Sequence, residues 1–299
     1  MRRTSMSELL IRQRLHALAR LLPGAQKGDA ELVHRARIAT RRLREALPLV
    51  VAGARRRKLD RKVRRLTRAL GPVRELDVGL QTVDALSAAG EAPRAAIARL
   101  KQVIRQERDR LHVVMCREVA RVDLDKLRRR VAAGHKRVTA GHKKELAPTR
   151  ARERAARRAT RLHGAIEDAG SMYLPDRLHD VRIAVKKLRY VMEVTLQLSG
   201  SRAGARIRRL KEAQDLLGRM HDLEVLIARV RAVQGSPKAP NLRLSSDLDR
   251  LVRRLETECR QLHGHYMARR RNLMAICDHI AASLLAQGRR ARSRASSAA

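Results

Sequence analysis

Phenylalanine and tryptophan are absent from this 299-residue chain, and tyrosine occurs only at Tyr173, Tyr190 and Tyr266. RNA and single-stranded nucleic acids are commonly held by stacking bases on aromatic rings, so a base-stacking platform is not expected. Arginine planes also stack on bases, which lowers the standing of RNA without removing it. Cysteine is scarce too. Cys116, Cys259 and Cys277 are far apart, odd in number and form no C-x-x-C pair, which argues against a disulfide framework or a structural zinc site and fits a reducing cytoplasm. There is no run of about 18 apolar residues to cross a membrane. The basic opening of the chain meets Arg12 and Arg14 too soon for a signal peptide, so a soluble, cytoplasmic protein without a membrane partner is expected. Phosphate loops of the G-x-x-x-x-G-K-[ST] type, nucleophile elbows and dinucleotide fingerprints are missing, and the basic faces lack the carboxylates that would hold a catalytic metal. The reading is of a protein that binds and does not catalyse, with no cofactor and no metal.

Acid is the scarcest resource relative to its counterpart. Thirty Asp and Glu face 69 Lys and Arg, a formal charge of +39, far beyond what solubility requires. A surface so charged repels itself unless a polyanion neutralises it. DNA, RNA, an anionic membrane and inorganic polyphosphate are the candidates. An apolar fraction of 44% still suffices to fill helical cores.

The charge is patterned. His34-Arg-Ala-Arg37-Ile-Ala-Thr-Arg41-Arg42-Leu-Arg44 returns 145 positions later as His179-Asp-Val-Arg182-Ile-Ala-Val-Lys186-Lys187-Leu-Arg189. On a helix, His34, Arg37, Arg41 and Arg44 fall in one stripe with Arg42 on its flank, while Ala36, Ala39, Leu43 and Leu47 lie roughly opposite. In the second copy His179, Arg182, Lys186 and Arg189 form the stripe, Lys187 flanks it, and Ala184, Leu188, Val191 and Met192 form the apolar side. A merely solvated face would mix acids among its bases and gain from i,i+4 pairing, yet no acid occurs between Val33 and Arg44. Arginine grips two phosphate oxygens with its fork and lysine brings a movable charge, so a row of them suits a row of phosphates. His34 and His179 would join as donors that strengthen as pH falls.

A second repeated segment follows, Leu70-Gly71-Pro-Val-Arg74-Glu75-Leu-Asp77 and Leu217-Gly218-Arg-Met-His221-Asp222-Leu-Glu224. With it come Arg64, Arg68 and Arg74, matched in part by Lys211 and His221; Asp215 stands where Arg68 would be answered. The acids of these segments are read as orienting neighbouring Arg or His. Breakers are widely spaced and β-branched alternation is almost absent, so helices are expected throughout and no sheet. They are placed at about 7–22, 30–53, 55–89 with a kink at Gly71-Pro72, 93–120, 149–169, 176–199, 203–233 and 245–285, the last broken near Gly264. A short helix from Asp125 is expected within the connector. The duplication divides the chain into an N-terminal helical bundle (1–121), a basic connector (122–148), a C-terminal helical bundle (149–287) and a disordered tail (288–299).

The doubled H-x-x-R-x-x-x-[RK]-[RK]-L-R motif, each copy followed by L-G-x-x-[RH]-[DE]-L-[DE] in an all-helical chain, resembles the CHAD family, the conserved histidine α-helical domain, over residues 7–287. The resemblance implies an all-α fold of two four-helix bundles related by pseudo-two-fold symmetry, with basic helices facing a central groove or pore. It also implies binding of inorganic polyphosphate and association with polyphosphate granules, without catalysis by the domain. No E-x-E-x-K segment of the triphosphate-processing module often joined to this family occurs here. Carried onto this chain, the ligand contacts would be the two stripes, with Arg64, Arg68, Arg74, Lys211 and His221 behind them. The runner-up is a non-specific nucleic-acid-binding protein, and weak contact with nucleic acid is a secondary expectation; the identity of any granule protein partner is left open.

Overall fold

A computed structural model describes residues 6–51, 53–90, 92–130, 146–200, 203–236 and 240–296. Among these the chain is all α, without a strand. The helices are α1 (Met6–Gln26), α2 (Ala30–Val50), α3 (Gly53–Ala88), α4 (Arg94–Ala120), α5 (Leu146–Ala169), α6 (Pro175–Ser199), α7 (Gly204–Gln234) and α8 (Leu242–Ser296). Residues 124–130 are also helical, as expected from Asp125, whereas most of the basic connector lies outside the described residues.

Local chemistry accounts for the boundaries. The Asp29 side chain accepts from Leu32 N at 2.9 Å and caps α2, relieving one of the amides that a helix start leaves without a carbonyl. Pro175 opens α6, where its missing N–H costs nothing, and Gly200 closes it in the left-handed conformation at φ 60°. Three expected stops are not stops. α1 runs through Pro23-Gly24 to Gln26; its interior proline is within a turn of the helix end. Gly24 serves packing there, because a Cβ on it would meet Leu32 Cδ1 at 2.1 Å, and the actual turn is made at Gly28 with φ 89°. α8 continues unbroken through Gly264, since one interior glycine costs only about 1 kcal/mol relative to alanine. It also extends to Ser296, past residue 288 where a disordered tail was expected.

The chain resolves into two compact units that do not follow the halves drawn from the repeat. Unit 1 is Met1–Gly141 with Met220–Gln261, and unit 2 is His142–Arg219 with Leu262–Ala299. Each of the long helices α7 and α8 therefore gives part of its length to each unit. The repeat matches sequence to sequence, whereas the units reflect which apolar surfaces are buried together.

In unit 1, α1 packs on α2, α2 on α3, and α3 on α4. Their core is aliphatic, with Leu18, Leu43, Leu66, Leu70, Leu76 and Leu100 fully buried, joined by Leu223, Val230, Leu251 and Leu255. Each such side chain contributes roughly 1.5–3 kcal/mol of burial. In unit 2, α5 packs on α6. Alanines at 151, 155 and 159 give α5 a flat side, and Val181, Val185, Leu188 and Val191 form the buried side of α6. Tyr266 is the largest fully buried residue of this unit and sits 6.2 Å from the His263 ring, which meets Tyr173 edge-on at 5.3 Å. Burial in these surroundings pushes the Tyr266 phenol up to about 12.

Candidate functional site

The apolar side of α2 is where its periodicity puts it. Val33, Ala36, Thr40, Leu43, Ala46 and Leu47 are buried, and Ala39 is 8% exposed. Buried against α1 and α3 on that side, the helix turns His34, Arg37, Arg41 and Arg44 partway toward solvent and leaves Arg42 exposed on the flank. Arg14 Nη1 donates to the Arg42 carbonyl and ties α1 to the stripe helix.

His34 and Arg37 lie beside residues of α3, and Arg41 acts on His34 from the same helix. The Arg37 guanidinium lies against Gly71, within 4 Å of where a Cβ on that glycine would stand. His34 feels Arg74, Arg37 and Arg41, and burial together with these cations holds its imidazole below the ordinary 6.5, with only Glu31 acting the other way. Arg74 is half-buried, and its guanidinium is lowered from the usual arginine value by desolvation, opposed by Asp77, Asp222 and Glu31. Arg41 carries no hydrogen bond or ion pair among the described residues. Like charges have thus been gathered, with Glu31, Asp77 and Asp222 the acids that act on His34 and Arg74, and an oxyanion would relieve the remaining repulsion.

Arg44 is different. Its Nε donates to Asp60 Oδ1 at 3.0 Å, an ion pair from α2 to α3. The corresponding residue of the second stripe is also held by protein groups: Arg189 donates to Gln214 Oε1 at 2.9 Å and to Glu193, and stacks on Tyr190 with its Cζ 4.6 Å from the ring centre. Its side chain is only 11% exposed. In each stripe the last arginine is therefore an anchor, tying its helix to the next one.

In unit 2 the second stripe repeats the first with more acid around it. His179 is partly buried and held below 6.5 by desolvation, then by Arg182 and Lys186, while Asp180 and Asp176 act in the opposite direction. Lys187 is exposed on the flank. Leu188, Val191 and Met192 are buried as expected; Ala184 is only partly covered, and Val181 and Val185 take the core positions instead.

The α3 residues divide. Arg74 belongs with the α2 stripe, but Arg64 and Arg68 line a cleft between α3 and α4 to which α2 contributes nothing. Arg61 and Arg65 line it as well, and their spacing with Arg64 and Arg68, recurring every three or four residues, was the signal that could have shown a second basic face on α3. Lys211 is exposed on α7 in unit 2, whereas His221, ten residues on, falls in unit 1 with Arg74. The acids after the glycines do orient cations: Asp77 holds Arg108 at 2.6 Å, and Glu75 lies 3.3 Å from Arg229. Among the described residues, no three His, Cys, Asp or Glu converge as a metal site would need, and no helix is long and apolar enough to cross a membrane.

The two histidines carry a pH prediction. Because both imidazoles sit below 6.5 in the free protein, each is mostly neutral at pH 7 and protonates on acidification against a cost. A polyanion held at both clusters would raise both, so its binding would take up protons and its affinity would rise as pH falls from about 7.5 through the bound-state values. Calorimetry in buffers of differing ionisation enthalpy should show uptake of at most two protons, with affinity gaining about three- to tenfold between pH 7.5 and 5.5. The variant H34Q/H179Q should bind with no such uptake. In the free protein the sign reverses: protonation favours the unfolded chain, so the stability held above pH 6.5 is lost as pH falls toward the lowered values.

A model of the CHAD domain family matches residues 9–231. The structure is similar to the crystal structure of the CHAD domain from the plant Ricinus communis, with a TM-score of 0.58 at 21% identity, covering 95% of this chain and 92% of that one. It is also similar to PptA from Streptomyces chartreusis, with a TM-score of 0.56 at 14% identity, covering 92% of this chain and 96% of that one. No curated protein sequence matches the chain.

Proposed function

The chain belongs to the CHAD family, and from that premise we propose that it binds inorganic polyphosphate through the cationic faces of α2 and α6. The family is associated with polyphosphate binding, and its domain is a binding domain without catalysis. The observation that carries the reading for this chain is the convergence of Arg37, Arg41 and Arg74 on His34, with Glu31 the lone acid acting on that imidazole. In unit 2, His179, Arg182 and Lys186 supply the matching contacts. Arg44 and Arg189 hold the helices in place behind them.

Inorganic polyphosphate suits this face better than nucleic acid does. Its anions repeat along a chain with no bases to accommodate, and the cluster offers only guanidinium, ammonium and imidazole donors. The proposal covers the pair of stripes, with a sufficiently long chain engaging both in a groove between helical bundles, and places the protein in the cytoplasm at polyphosphate granules. Titration with polyphosphates of graded length should therefore give affinity that climbs and then levels once both stripes are satisfied. Affinity per phosphate that is flat from the shortest chains onward would reject a site of fixed extent. Competition decides against the nucleic-acid reading: polyphosphate should displace labelled polyphosphate at a far lower phosphate concentration than duplex DNA or RNA does.

A further inference from the structure

The cleft between α3 and α4 in unit 1 has two kinds of wall. Its volume is about 610 Å³, within the usual range for small-molecule sites. One wall carries four arginines of α3, at 61, 64, 65 and 68; the other is aliphatic, with Leu111, Val114 and Met115 from α4. A single acid, Glu118, lines it, and that acid is engaged: Arg65 Nε lies 2.6 Å from it and Arg121 also pairs with it. Arg61, Arg64 and Arg68 have neither a hydrogen bond nor an ion pair among the described residues. Val114 is 51% exposed and its neighbour Val113 50%, on a helix where Ile97, Leu100, Ile104 and Met115 are buried and Leu111 is partly so.

A site for bare phosphate has no use for a half-exposed valine beside a partly exposed leucine, and an apolar docking groove would not be rimmed by three cations without counter-ions. The two features together call for an anion attached to a hydrocarbon. Every apolar residue lining the cleft is aliphatic, so a flexible alkyl chain fits it better than a planar base, which would look for an aromatic face. We propose that this cleft is a second binding site, for an alkyl phosphate: the phosphate held by Arg61, Arg64 and Arg68, and the chain laid over Leu111, Val114 and Met115.

The site is independent of the polyphosphate reading, because α2 contributes nothing to it. The test is calorimetric titration of the full-length protein with decyl phosphate, kept below its micelle threshold at physiological salt. Inorganic phosphate and uncharged decyl glucoside serve as the two half-ligands. Decyl phosphate should bind at least about tenfold more tightly than either half-ligand, since charge and burial each contribute. R64Q/R68Q and V114N should each weaken it by about tenfold, and V114N, on a helix outside the stripes, should leave polyphosphate affinity within about twofold of the parent. Circular dichroism checks that both variants remain helical. Decyl phosphate binding no tighter than inorganic phosphate, equal binding in V114N and the parent, or binding that survives both variants would each overturn the proposal. Failure of polyphosphate binding alone would leave it standing.

Discussion

Replacing Arg37, Arg41, Arg182 and Lys186 together with glutamine is expected to lower affinity for long polyphosphate by about 10³-fold while the helical circular dichroism signal is unchanged. The magnitude follows from four charged contacts at about 1 kcal/mol each, where every 1.4 kcal/mol is a factor of ten. The side chains chosen are the cations between the histidine and the last arginine of each stripe. Arg41 has no hydrogen bond or ion pair among the described residues, and Arg37 lies against Gly71, whereas Arg44 and Arg189 are engaged by Asp60 and Glu193 and would report on folding as well as binding. Glutamine keeps length and helix propensity, so α2 and α6 should fold as before.

Salt dependence gives the same experiment a second readout. Every cation withdrawn from a phosphate should reduce the slope of log affinity against log salt by about 0.7, the value for single-stranded polyanions, so the quadruple variant should be flatter by nearly 3. The control is R289Q/R290Q, which removes two positive charges far along the sequence from both stripes. If general charge is what holds polyphosphate, the control will lose affinity in proportion to its charge. If the stripes hold it, the control should bind within about twofold of the parent while the quadruple variant fails.

The stripe of α2 was legible because helical period is a local property. Each of Val33, Ala36, Leu43 and Leu47 reports the same direction, and all are at most 1% exposed. The Asp29 cap was legible for the same reason, since its partner is three residues away. Pairings across helices were not. Nothing in the sequence joins Arg44 to Asp60, or distinguishes Arg74, which meets His34, from Arg64 and Arg68, which turn toward α4. All three arginines lie on one helix, and which neighbour each meets depends on how α3 is rotated between α2 and α4. Breakers misled in the opposite direction. Pro23 and Gly264 are poor helix residues, but tertiary packing along α1 and α8 outweighs a local preference of a few kcal/mol or less. The repeat was legible as a pattern of residues, yet compactness cuts through α7 and α8, since apolar burial is insensitive to ancestry.

The stripe's footing rests on a buried ion pair that sequence could suggest only vaguely. Asp77 of α3, 3% exposed, accepts from Arg108 Nε at 2.6 Å, and Arg108 Nη2 donates to the Gly28 carbonyl at 2.6 Å. Arg108 of α4 thus joins α3 to the turn from which α2 departs, six residues before His34. Asp77→Ala should cost about 3–5 kcal/mol, because it strands a guanidinium whose side chain is only 17% exposed. For a chain of this size that lowers the melting temperature by roughly 6–15 °C. Arg108→Ala should cost at least as much, leaving a carboxylate already lacking a partner on Oδ2 with none on Oδ1 either. Removing both should cost well under the sum, since neither residue is then left charged and alone. Additive losses by thermal melts of the two single variants and the double would mean the pair does not act as a unit. Saturating polyphosphate should restore part of the lost melting temperature in Asp77→Ala, because a ligand that binds only the folded chain stabilises it in proportion to the logarithm of its excess over the dissociation constant. A variant that melts early yet gains nothing from polyphosphate would show that this brace shapes the stripe as well as the stability.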